Sequence, residues 1–285
     1  MWTRLDIDAL GDMAGIDIQS GTWTVPVLHV TPADGGTTQT VAGNVRALTA
    51  IPSGFLFERT DYGPCMVCRT YLESWPAAHS YSSSVFIGDG YPWHGNRSYA
   101  VRRGGGIYAS YWASPFMGDT WTFDFEERDE ALQIVNQTDG ISTHVVAVDR
   151  LDVAIESLDA GVRWIDPKGD PISGTFSATA DSAFPLIGGG LLTTDDRIIA
   201  SGRADVQPAP EWLRGRAANA FVVLGERAYA FTDADCKASI YSATGEFCGT
   251  FTFSGCGAPP RFGLDGTAIV SVNGGGWRLW RRLLQ

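Results

Sequence analysis

The chain has 285 residues, of which 44% are hydrophobic and 12% aromatic; that is too apolar for a disordered polymer, which stays open because it has little to bury. No run approaches the roughly 18 consecutive apolar residues of a membrane-spanning helix. A formal net charge of −11 excludes nonspecific nucleic-acid binding, which needs clustered Lys and Arg to displace counterions from phosphates.

The first residues, MWTRLDIDALGDMAG, carry neither a basic n-region nor an apolar h-region, so no signal peptide is expected there. The expected location is cytoplasmic, with a mature secreted form as the alternative. Asp6, Asp8, Gly11, Asp12 and Asp17 loosely echo a calcium loop, but Leu10 takes a ligand position and no flanking helices are expected. A solvated acidic terminus is the expectation. The stretch TWTVPVLHV from Thr22 reads as a strand.

From Val45 onward a form recurs: a short apolar or alternating run, a Gly or Asp turn, then a second run. Six segments share it: VRALTAIPSGFLFER from Val45, SYAVRRGGGIYASYW from Ser98, HVVAVDRLDVAIES from His144, IGGGLLTTDDRIIAS from Ile187, ANAFVVLGERAYAFT from Ala218 and APPRFGLDGTAIVSV from Ala258. Sustained helical periodicity is lacking; a turn or two near Ala209–Arg216 is the best helical candidate. GVRWIDPKGDPISGTF from Gly161 and ASIYSATGEFCGTF from Ala238 each read as a strand, a Gly turn and a strand ending in Gly-Thr-Phe. The chain finishes GGGWRLWRRLLQ, one strand short of a second hairpin.

Repeats of roughly 30–50 residues, each with two tandem hairpins, resemble the blades of β-propeller proteins. The resemblance covers Val45 to the C-terminus and implies an all-β, single-domain propeller of five to six blades. Residues 1–44 are expected to close the last sheet. A β-sandwich or an irregular β-solenoid is the alternative architecture. The chain lacks the repeated Gly-His with Trp-Asp, the double-Gly Kelch pattern and a regular Asp-box, so the resemblance carries over no functional residue.

The stretch from Tyr71 to Trp112 holds Trp and Tyr interleaved with Ser, Gly, His and Asn. Flat rings beside short polar groups suit a protein interface or a sugar, although such rings also fill cores. Within it Trp75, Tyr91, Trp93, His94, Asn96, Tyr111 and Trp112 are the candidate partner-binding residues, with 91–96 expected in a loop. Cys65 and Cys68 form a lone C-x2-C without a second pair, so zinc is not expected. Cys248 and Cys256 are a candidate disulfide in an oxidising compartment. Asn96-Arg97-Ser98 and Asn136-Gln137-Thr138 match the glycosylation sequon, and neither is expected to be modified.

No catalytic residue, cofactor or metal is assigned. Gly104–Gly106 read as a turn, because no helix follows to cradle a phosphate. The expected function is a noncatalytic protein-binding or assembly module, a component of a larger bacterial or phage complex; the Arg-over-Lys bias suggests a GC-rich coding sequence. The acidic net charge favours a basic or neutral partner. A carbohydrate-binding lectin is the alternative. A propeller glycoside hydrolase, using carboxylates such as Glu58, Asp149, Asp152 and Asp196, is the second alternative.

Overall fold

The computed structural model describes residues 2–8, 11–18, 25–52, 54–62, 68–76, 80–82, 95–113, 122–139, 144–158, 160–180, 182–273 and 276–284. Among them almost every regular element is a strand, and the strands pair antiparallel with their sequence neighbours. Short turns make this the least costly pairing, because loop-closure entropy grows with the chain enclosed.

Seven sheets result. The first is β1 (Trp2–Ile7), β2 (Met13–Ile18), β3 (Pro26–Thr31) and β4 (Gln39–Gly43). The second is β5 (Val45–Ile51), β6 (Gly54–Tyr62), β7 (Cys68–Trp75) and β8 (Ser80–Ser82); the third is β9 (Gly95–Val101), β10 (Ile107–Ala113), β11 (Thr122–Arg128) and β12 (Ile134–Asp139). The fourth has β13 (Val145–Val148), β14 (Ala154–Leu158) and β15 (Gly161–Ile165). Single bridges from β15 to Pro171 and Phe176 stand where a fourth strand would lie. The fifth has β16 (Phe184–Pro185), β17 (Leu191–Leu192), β18 (Arg197–Ile199) and β19 (Val206–Pro208). The sixth is β20 (Ala220–Val223), β21 (Ala228–Thr232), β22 (Lys237–Ser242) and β23 (Phe247–Thr252). The seventh is β24 (Arg261–Phe262), β25 (Ala268–Ser271) and β26 (Trp277–Trp280).

This is a β-propeller with seven sheets, not five to six. The missed sheet is the first. Asp8 is not a solvated terminal acid: it is buried, and its carboxylate accepts the Asp12 N–H at 2.9 Å to lock the β1–β2 turn. Nor does β3 complete the last sheet. β3 pairs with β2 from Met13↔Thr31 to Ile18↔Pro26 and with β4 on its other side. The seventh sheet is left with three strands among the described residues.

By internal contacts the chain forms two compact units, residues 1–60 with 219–285, and 61–218. In the first, the sixth and seventh sheets share a core of Val223, Ala230, Ile240, Phe253, Phe262 and Val270. Ile7 and Met13 of the first sheet pack with Ile269, and Trp277 and Leu279 lie against them. Cys236 and Cys256 form a disulfide, with Cα atoms 6.1 Å apart, between the β21–β22 turn and the segment leading to β24. Cys248 is free and exposed, so the candidate Cys248–Cys256 pairing does not form. In the second unit, Tyr108 and Phe125 of the third sheet pack on Val145, Ala154 and Ile165 of the fourth. Trp164, Ile155, Leu191 and Ile199 fill the space between the fourth and fifth.

Candidate docking site

The hairpin turns share one chemistry. In the turn from Asp149 to Val153, the Asp149 N–H donates to Val153 O and the Asp152 N–H to Asp149 O. Asp149 Oδ1 accepts the N–H groups of Leu151 and Val153 at 2.8 and 3.0 Å. Asp166 does the same for Lys168 and Asp170, and Asp233 for Asp235 and Lys237. Ser242 and Thr193 play this part with a hydroxyl, towards Glu246 and Arg197. The fourth residue of each turn has a positive φ: Asp152 59°, Asp196 62°, Cys236 61°, Gly169 83° and Gly245 88°. That is a three-residue hairpin loop built on a type I turn with a left-handed residue after it. Short polar side chains favour it because they satisfy N–H groups the turn would leave open.

These turns are also bonded to one another. In the second unit the Arg103 N–H donates to Asp152 Oδ1 at 2.7 Å, joining the β9–β10 and β13–β14 turns. Asp149 Oδ2 accepts the Gly190 N–H at 3.0 Å, joining β13–β14 to the segment entering β17. Gly190 has φ +84°, and a Cβ there would stand 2.7 Å from Ile199 O, so no other residue fits. In the first unit the Gly225 N–H donates to Leu264 O at 3.0 Å. Asp12 Oδ1 accepts the Ala33 N–H at 2.7 Å.

In the first unit the turns of the sixth and seventh sheets border a cleft. It has a volume of about 490 Å³ and is lined by Leu224, Gly225, Arg227, Asp265, Arg282 and Leu284. A smaller recess of about 100 Å³ adjoins it, sharing Asp265 and Arg282 and adding Gly11, Ala33, Thr267 and Arg281. Asp265 is committed to the turn: Oδ1 accepts the Thr267 N–H at 2.9 Å and Oδ2 the Thr267 hydroxyl at 2.7 Å. Arg227, Arg281 and Arg282 are exposed. Arg227 spends one donor on Leu224 O at 2.9 Å, which fixes its stem and leaves the rest of its fork towards solvent. In a chain of net charge −11, Arg227 and Arg282 thus line the cleft, and Arg281 and Arg282 the recess beside it.

Of the residues singled out from the sequence, Tyr91, Trp93 and His94 lie outside the described residues, as does Cys65. Asn96 sits in β9 opposite Trp112 of β10, and Tyr111 is opposite Arg97. Trp75 ends β7, half-buried, before the cis Trp75–Pro76 bond. The carboxylates considered for hydrolysis serve the turns: Asp149 and Asp152 as above, while Asp196 Oδ1 accepts the Gly215 N–H at 2.6 Å. Glu58 lies in β6 opposite Ala47. Arg278, Arg281 and Arg282 stand close together in the sequence, a cluster too short to track a nucleic acid. Arg227 is 54 positions before Arg281, and no local pattern ties the two together.

No protein-family model and no curated protein matches the chain. Among solved structures, one chain of the crystal structure of the mitotic checkpoint complex is similar over 97% of this chain and 86% of that one, with 12% sequence identity and a TM-score of 0.45.

Proposed function

We propose that this propeller is a binding module that docks a protein partner, and that the cleft of Arg227 and Arg282, with the adjoining recess of Arg281, receives an acidic segment of that partner. The reading rests on Arg227 and Arg282 lining the cleft and on Arg281 lining the recess that adjoins it. Guanidinium forks bind carboxylates through paired, charge-assisted hydrogen bonds, which are about twice as strong as neutral ones. The neighbouring turns are held by backbone bonds, so little ordering cost is paid on docking. The acidic net charge predicts a basic or neutral partner, but recognition is local: the residues lining the cleft and recess include three arginines and one carboxylate. That carboxylate, Asp265, is held by Thr267, which suits binding rather than proton transfer. Trp75, Tyr91, Trp93, His94, Asn96, Tyr111 and Trp112 are proposed as further partner contacts.

The test is fluorescence anisotropy with a dye-labelled octapeptide alternating Glu and Val. The double substitution Arg227→Glu and Arg282→Glu should weaken binding at least tenfold, since each exchange turns an attraction into a repulsion. Wild-type affinity should fall as salt rises. Equal binding by the double variant, or a preference for the matching Lys-Val peptide, overturns the reading.

A further inference from the structure

The third strand of a sheet in this fold is normally an interior strand. In β3 Leu28 and Val30 are buried, in β15 Val162, Trp164 and Ile165, and in β22 Ala238 and Ile240. β26 is the exception, since none of its four residues is fully buried and Trp280 is 46% exposed. It pairs with β25, from Ala268↔Trp280 to Ser271↔Trp277, and among the described residues no strand pairs with its other side. Yet the strand is well anchored. Trp277 and Leu279 pack against Ile7, Met13 and Ile269, and the Trp280 ring stands edge-on to Phe253 at 6.2 Å.

An open, anchored edge is a template for another strand. The charges choose the occupant. Residues 276–284 contain Arg278, Arg281 and Arg282 and no acidic residue. A second copy of β26 would set arginines against arginines, and like charges placed across strands are destabilising. We infer that an extended segment of the partner, with acidic and β-branched residues alternating, adds to β26 as the fourth strand of the seventh sheet. Alternation at period two lets its acidic side chains meet Arg278 while its apolar ones follow Trp277 and Leu279. Arg281 and Arg282 continue from β26 into the lining of the recess and cleft, so this inference deepens the proposed docking role and rests on it.

Hydrogen exchange on the full chain, with the acetylated and amidated octapeptide of alternating Val and Glu, tests the pairing. Amide exchange in 276–280 should slow at least tenfold with this peptide and stay unchanged with its Val-Lys counterpart. Arg278→Glu, on the strand and outside the cleft, should weaken binding at least fivefold. If the Glu peptide binds but β26 exchange is unchanged, strand addition is wrong and the cleft reading survives. If β26 is protected just as well in the Arg227→Glu, Arg282→Glu variant, strand addition stands and the cleft reading fails. Protection without peptide, together with self-association in sedimentation, would make the occupant a second copy and overturn the inference.

Discussion

Tyr108 shows how one side chain holds two sheets together. Its hydroxyl donates to Asp152 O at 3.0 Å, its ring stacks on Phe125, and the Arg102 guanidinium lies 4.9 Å above it. Burial pushes its pKa up to about 12, against the opposing pull of Arg102 and with help from Glu127, Asp152 and Asp166. A phenol whose folded pKa is raised favours the fold fully below its unfolded pKa, about 10, and loses that contribution as pH climbs through 12. Two units correspond to about 2–3 kcal/mol. Alkaline unfolding followed by circular dichroism should therefore steepen between pH 10 and 12 in the native chain. In Tyr108→Phe that slope should vanish, at a neutral-pH cost of about 1 kcal/mol for the lost hydrogen bond. Asp149 has more at stake, since its carboxylate serves the N–H groups of Leu151, Val153 and Gly190. Asp149→Ala strands all three and should cost about 3 kcal/mol or more in urea unfolding, whereas Asp149→Asn, which keeps one acceptor oxygen, should cost roughly half.

At the scale of elements, the hairpins were the legible part of the sequence. Five of the six recurring segments are the first two strands of a sheet, from β5–β6 to β24–β25, and the sixth, from Ile187, holds β17–β18. Of the two Gly-Thr-Phe segments, the second lies in β23 as expected, while the first forms no strand and is held by a single bridge from Phe176 to Val162. The first sheet escaped notice because its turn runs Asp8 to Asp12, and acidic residues near a terminus suggest solvent. The turn rule itself, a short polar residue followed four positions later by the strand it caps, was there to be read in Asp149, Asp166 and Asp233. The cleft was not. Arg227, Asp265 and Arg282 come from separate turns and meet only through packing of the sixth and seventh sheets. The disulfide escaped for the same reason: Cys236 occupies a left-handed turn position with φ 61°, and Cys256 reaches it from the segment leading to β24. Cys236→Ser should lower stability by about 3 kcal/mol, as expected for closing a loop with a sequence separation of 20. Calorimetry should show a comparable loss on reduction, and Cys248→Ser should leave the transition unmoved.

At the scale of the molecule, the hydrophobic content pointed to a folded chain and was silent about where its parts lie. The hydrophobic content does support cores between sheets, and the acidic excess does not extend to the last residues, where Arg278, Arg281 and Arg282 accumulate. Sheet count was harder to read, because sheets differ in completeness. The fifth compresses its strands to two or three residues each, and the fourth replaces its last strand with isolated bridges.

The packing of Ile7 and Met13 against Ile269, Trp277 and Leu279 has a consequence for synthesis. The first sheet leaves the ribosome with that face bare, and its cover, beginning at Ile269, follows Met13 by 256 residues. At 5–20 residues per second the wait is roughly 10–50 s. Through that interval the nascent amino-terminal strands are the portion most in need of a chaperone.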